Sequence, residues 1–132
     1  MRRAFLAIIL AHLQPMLAVS AELADKRVAL VIGNGNYQNT QRLPHPTNDA
    51  ADIAAALKRT GFETIVGLDL DKAGMENATI QFSRAAREAD VAIFYYSGHA
   101  MQFNGVNYLM PIDAKLSDEA DFLYRCTDYY HP

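Results

Sequence analysis

An apolar run, Val91-Ala-Ile-Phe-Tyr-Tyr96, stops abruptly at Ser97-Gly98-His99. A short run of β-branched and aromatic residues bounded by turn residues predicts a strand buried on both faces of a parallel sheet. The imidazole of His99 then sits just past the strand's carboxyl end, the edge at which open α/β sheets bind ligands. Asn104-Gly105 follows, between Met101-Gln-Phe103 and Val106-Asn-Tyr-Leu109. That pattern specifies a two-residue hairpin turn. His99 is therefore expected between a buried strand and a tight hairpin, a position suited to a general base. The same position suits a histidine that only packs or caps, and spacing alone leaves both readings open.

Upstream, Val28-Ala-Leu-Val-Ile32 is a second continuous apolar run and reads as the central strand. Gly33-Asn-Gly-Asn36 ends it. A dinucleotide cradle needs a third glycine where Gln38 stands and a helix opening at once; both are missing, so a nucleotide site is excluded. Pro44 and Pro46 instead predict an ordered loop. A helix is expected from Thr47-Asn48-Asp49, capped by Thr or Asn, with Asp49 at the positive end of the dipole. Ala50, Ile53, Ala54 and Leu57 mark its buried face, and Gly61 its stop.

Phe62 to Val66 alternates in polarity and suits a strand near the sheet edge. Asp69 to Asp71 turn into a second helix, whose buried face is Met75, Ala78, Phe82, Ala85, Ala86 and Ala89. Gln81, Arg84, Arg87 and Glu88 are left for solvent. Asn77-Ala-Thr79 matches a glycosylation acceptor but falls inside this helix. The order strand, loop, helix, strand, helix, strand predicts an α/β fold with a parallel sheet. Asp49, Ser97 and His99 then share its carboxyl edge.

The chain's 132 residues suffice for one small domain. A 51% hydrophobic and 20% charged composition is that of a globular protein. A net charge of −3 without a basic block argues against nucleic acid as a partner. A single cysteine, Cys126, excludes an intramolecular disulfide and a cysteine-based metal cluster. No metal-ligand constellation is visible and no cofactor is implied.

Residues 1–21 read as a secretory signal peptide. Arg2 and Arg3 precede the apolar stretch Ala4 to Ala11, and Val19-Ser20-Ala21 fits a small-residue cleavage site before Glu22. The apolar stretch is too short to span a bilayer. The other reading is an uncleaved N-terminal anchor, which His12 and Gln14 weaken. Cleavage would remove both arginines, taking the net charge from −3 to −5, and direct the protein to the periplasm or outside the cell. No stable membrane span would remain.

Four segments together carry a family resemblance: Arg27-Val-Ala-Leu-Val-Ile-Gly-Asn34, Leu43-Pro-His-Pro-Thr-Asn-Asp-Ala50, Tyr95-Tyr-Ser-Gly-His99 and Gly105-Val-Asn-Tyr-Leu-Met-Pro-Ile-Asp113. In this order and spacing, over residues 26 to 114, the chain resembles the large-subunit (p20) half of caspase-like cysteine peptidases (peptidase C14 type). Bacterial metacaspases and orthocaspases are the nearest in kind. The resemblance implies a three-layer, flavodoxin-like parallel sheet with flanking helices, incomplete, and a β-hairpin after the third strand. It implies peptide-bond hydrolysis by a Cys–His dyad acting after Arg or Lys. By position, His99 matches the dyad histidine, Asp49 the acidic residue for a basic substrate side chain, and Ser97 a pocket-lining serine. Ala100 stands where a glycine usually gives the oxyanion-hole N–H.

The family's nucleophile follows a fourth parallel strand in an Asp-x-Cys setting, and residues 115–132 contain no such pattern. Cys126, within Arg125-Cys126-Thr127, is read as an incidental thiol in a frayed tail, and His131 as incidental too. The tail 115–132 looks atypical, as a frameshift would make it. The chain is thus expected to be a caspase-like domain cut before its nucleophile, inactive alone, with strand 91–96 left as an aggregation-prone edge. Its partner would be a peptide or protein bearing a basic residue. The alternative is a non-catalytic caspase-like module that binds peptides without cleaving them.

Overall fold

The computed structural model describes residues 25–117, 121 and 126–128. Residues 1–21, read as a signal peptide, lie outside them, as do Arg125 and His131. The elements run β1 (Arg27–Gly33), α1 (Pro46–Arg59), β2 (Glu63–Leu68), α2 (Lys72–Ala86), β3 (Val91–Ser97), β4 (Ala100–Phe103), β5 (Val106–Leu109) and β6 (Thr127–Asp128). The three long strands form a parallel sheet in the order β2-β1-β3. The hairpin strands and β6 form a second, antiparallel sheet in the order β4-β5-β6.

Strand β1 is central because it can be. From Val28 to Ile32 no residue is more than 1% exposed. The two-residue period sends Ala29 and Val31 to one face, against Ala50 and Ala54 of α1. Leu30 and Ile32 go to the other, with Ala78 of α2. Burial of each larger side chain contributes about 1.5–3 kcal/mol. The alanines let α1 approach closely, and Gly33 completes the fit: a Cβ there would lie 2.7 Å from that of Ala50.

Helix α1 starts at Pro46, one residue before the expected Thr47 and at a proline assigned to the preceding loop. Its N-cap is His45, which makes no side-chain capping bond, so neither Thr47 nor Asn48 caps it. A proline at the first helical position has no N–H to satisfy and a φ already suited to the helix. Helix α2 starts as expected, with the Asp71 carboxylate accepting from Gly74 N–H at 2.7 Å. Met75 and Ala78 are its buried residues; Phe82, Ala85 and Ala86 are only half-buried, and Ala89 lies past the helix end.

Strand β3 departs from the expectation of burial on both faces. Val91 is 39% and Phe94 37% exposed. Both helices pack chiefly on β1 and β2, and β3 lies at the opposite edge of the three-stranded order, so cover thins along it. The hairpin forms as its Asn-Gly pair dictates: Asn104 and Gly105 have φ of 50° and 79°, the left-handed geometry of a type I′ turn.

Cys126 corrects the frayed-tail expectation. It is 4% exposed and packs in a cluster with Tyr37, Tyr108, Met110 and Ala114, while Thr127–Asp128 pair with β5. Among the described residues no helix is long and apolar enough to cross a membrane.

Candidate functional site

His99 sits at the junction of the two sheets, between the last residue of β3 and the first of β4. Its main chain is held from both sides. The His99 N–H donates to the Tyr37 hydroxyl at 2.7 Å, and the His99 carbonyl accepts from Met110 N–H at 3.0 Å. The Tyr96 hydroxyl lies 2.8 Å from that carbonyl, 2.9 Å from the Met110 carbonyl and 3.1 Å from the Tyr37 hydroxyl. Burial pushes both phenols above their ordinary range, so each keeps its proton to donate. Gly98 is required here because a Cβ would fall 2.5 Å from the Tyr96 hydroxyl and 2.6 Å from that of Tyr37.

The imidazole is fixed as well as the backbone. Its Nε2 lies 2.8 Å from the Gln41 carbonyl oxygen. A carbonyl only accepts, so in the neutral ring Nε2 carries the proton and Nδ1 the free lone pair. The Tyr37 ring packs against the imidazole at 4.6 Å between centroids, tilted by 50°. A histidine held in one tautomer by a carbonyl can take a proton at its other nitrogen.

Ala100 opens β4 opposite Leu109. The Met110 N–H to His99 carbonyl bond makes Ala100–Leu109 a pair whose own N–H and C=O groups point away from the partner strand. The Ala100 N–H is thus aimed off β5, as an external acceptor would need. No positive φ is demanded there, so alanine occupies the position without strain.

Ser97, half-buried, lies opposite Gly33 in the sheet register, and its carbonyl accepts from Asn34 N–H at 2.9 Å. Asp49 is exposed in the first turn of α1, one residue before the Ala50 that abuts Gly33. Both residues therefore flank Gly33 on one edge of the sheet, though no hydrogen bond joins Asp49 to Ser97 or His99 among the described residues. Cys126 does not fit a nucleophile: burial pushes its thiol up, against the thiolate that attack requires. No three His, Cys, Asp or Glu side chains among the described residues gather as metal ligands.

Sequence reasoning passed over the residues that build this edge. Asn34, fully buried, donates from Nδ2 to the Leu70 and Met110 carbonyls, both at 3.2 Å, and its Oδ1 accepts from Leu70 N–H at 2.9 Å. Asp69, at φ 51°, accepts from the Gly35 and Asn36 N–H groups at 2.8 and 2.9 Å and from the Asn36 side chain at 2.9 Å. Partial burial pushes its carboxyl up, but these three donors outweigh that and hold it below the ordinary value. Its stabilising contribution is therefore whole above about pH 4 and lost as pH falls through the depressed value. An open cavity of about 310 Å³ lies between Asn36, Arg42, Thr47 and Asp69, and His99 and Asp49 do not line it. The signals available were an aspartate and an asparagine directly after strands, where positive φ and side-chain bonds to backbone are enriched. The Gln41 carbonyl left no signal at all.

A parallel-sheet α/β domain with a tautomer-fixed histidine on its carboxyl edge is the class that fold and site define. Comparison with known families narrows it. Residues 26–128 match the family model of the caspase domain. The chain is 33% identical over 92 residues to human mucosa-associated lymphoid tissue lymphoma translocation protein 1, and 32% identical over 92 residues to its mouse homolog. Each match covers 70% of this chain and 11% of the relative's length. The chain belongs to the caspase-domain family of peptidases.

Proposed function

We propose that the chain carries the histidine side of a cysteine endopeptidase of the bacterial metacaspase and orthocaspase type, acting after Arg or Lys. The observation that carries this reading is the 2.8 Å bond from His99 Nε2 to the Gln41 carbonyl, which leaves Nδ1 as the base. His99 would take the proton of a cysteine thiol as its sulfur bonds to the scissile carbonyl carbon. The Ala100 N–H would receive the resulting oxyanion. The imidazolium would then return the proton to the leaving amine as the C–N bond breaks, and water would hydrolyse the thioester with His99 again as base. Asp49 would pair with the basic side chain before the cut, and Ser97 would line its pocket.

The buried, protonated Cys126 supports a nucleophile located elsewhere than among the described residues. The same observation favours, for this chain by itself, the second reading: a module that binds basic peptides without cleaving them. A fluorescent Arg-terminated peptide and its norleucine counterpart, added to residues 22–132, separate the readings. Preferential binding of the Arg peptide, weakened about threefold to fivefold by Asp49→Asn and without turnover, is expected, an exposed charge pair of favourable geometry being worth up to about 1 kcal/mol. Equal binding of both peptides would remove the proposed pocket. Turnover abolished by Cys126→Ser would make Cys126 the nucleophile after all. We further propose export to the periplasm or outside the cell, tested by whether the mature N-terminus begins at Glu22.

A further inference from the structure

We infer that Asp69, distant from His99 in sequence and on a different loop, is a positioning residue that fixes the tautomer of the His99 imidazole. The connection runs through the backbone of one residue, Gly35. Asp69 holds the Gly35 N–H from one side at 2.8 Å. The Gly35 carbonyl accepts from Tyr37 N–H at 3.0 Å and from Leu43 N–H at 2.9 Å on the other. Those two bonds bracket the segment that meets His99: Tyr37 supplies the hydroxyl for the His99 N–H, and Gln41 the carbonyl for Nε2.

Residues 38–42 are exposed, so packing does little to place the Gln41 carbonyl. Hydrogen bonds at the loop's ends must do it. Downstream of Tyr37, Gln38 N–H donates to the Ile112 carbonyl at 2.8 Å, and the Asn39 side chain to the Asp113 carbonyl at 3.1 Å. At the base of the loop the corresponding anchor is the Asp69 carboxylate, with three donors converging on it. Asp69 is itself tethered, its N–H donating to the Gly33 carbonyl at 2.9 Å. Charge-assisted bonds are the strong ones, and a rigid second layer is what holds a catalytic ring in one orientation. The unfavourable φ of 51° at Asp69 is the conformation that turns its carboxylate toward the loop.

The positive φ supplies a clean experiment. Asp69→Gly keeps that backbone geometry without penalty and removes only the carboxylate. Asp69→Asn keeps an acceptor for a main-chain N–H but sets an amide donor against the Asn36 amide. Nitrogen-15 NMR of the His99 ring at alkaline pH reads the two neutral tautomers directly. In the native chain the Nε2–H form is expected to dominate. In Asp69→Gly the Nδ1–H population should rise about fivefold, the factor that weakening by one net hydrogen bond gives, with a smaller rise in Asp69→Asn. Amide exchange at Gly35 and Asn36 should accelerate in parallel. A folded Asp69→Gly chain with native tautomer populations would overturn the inference. Should that variant not fold, Asn36→Ala removes one of the three bonds, and an unchanged tautomer ratio there overturns it equally. The inference rests on the proposed function only in taking His99 as the base. The readout is the ring and not a substrate, so the Arg-peptide experiment can fail while this one stands, and the reverse.

Discussion

The two ends of the candidate site are built on different principles. At the His99 end, main chain and ring are tied by hydrogen bonds to Tyr37, Gln41, Tyr96 and Met110, and Tyr37 and Met110 are buried in one core cluster. At the Asp49 end, a carboxylate stands exposed on the first turn of a helix whose N-cap makes no side-chain bond. A base must meet a proton along a narrow range of directions, and that demands rigidity. The proposed partner of Asp49, a long flexible lysine or arginine, would be met over a wider range, and the carboxylate would gain from staying hydrated until it arrives. Substitutions at the first end should therefore cost stability, and those at the second should cost recognition.

The comparison breaks most easily at Asn34. Asn34→Ala would strip a buried hub of its bonds to Leu70 and Met110. The Leu70 carbonyl keeps Ile112 N–H and the Met110 carbonyl keeps the Tyr96 hydroxyl, but the Leu70 N–H loses its acceptor. A loss of about 2–3 kcal/mol in urea unfolding is expected, since one buried N–H then bears its desolvation cost and two further bonds are forfeited. A loss below 1 kcal/mol, by about that reckoning, would mean the edge is not locked in this way.

Tyr96→Phe sharpens the same point at lower amplitude. The Met110 and His99 carbonyls each keep another donor, so about 1 kcal/mol is expected. Its pH signature is more telling. Burial raises the Tyr96 phenol, so the folded chain keeps a proton that the unfolded chain gives up near pH 10. Its contribution is whole below about pH 10 and falls as pH rises. The alkaline limb of stability should be shallower in Tyr96→Phe than in the native chain.

The smallest effect belongs to Asp49→Asn. Unfolding should shift by no more than about 0.5 kcal/mol, because one exposed charge near a helix N-terminus is worth little more. A large loss of stability together with unchanged peptide binding would reverse the contrast between the two ends.

Much of the scaffold could be read from the residues because it depends on local pattern. The apolar runs at 28–32 and 91–96 became β1 and β3, and Asn104-Gly105 became the expected turn. Alternation at 62–66 likewise marked an outer strand, β2. The misreadings came where sequence is ambiguous. Pro46 is as compatible with a loop as with a first helical residue, and β3 had the composition of a strand covered on both faces. Cys126 was judged by the unusual composition around it, whereas its place in the core is set by pairing of β6 with β5.

The candidate site was legible only in part. His99 could be found because a strand visibly ends before it. The groups that orient it could not, since Tyr37 and Gln41 stand 62 and 58 residues away in sequence and act through a hydroxyl and a main-chain carbonyl. Asn34 reaches Met110 across 76 residues. Such bonds have no periodicity to betray them.

The placement of His99 where one sheet gives way to the other also bears on how the chain acquires its structure in time. The hairpin at Asn104-Gly105 closes a short loop and can form within microseconds. Strands β1 and β3 pair over more than sixty residues, from Arg27 with Val91 to Gly33 with Ser97. Contacts so remote are assembled late, after the entropy of closing a long loop has been overcome. The imidazole needs both events and the β1–α1 loop besides, so its tautomer is set at the end of folding. Histidine NMR followed through refolding would thus mark the moment the domain is finished, and a chain stalled earlier would carry its sheet and its hairpin without a fixed imidazole.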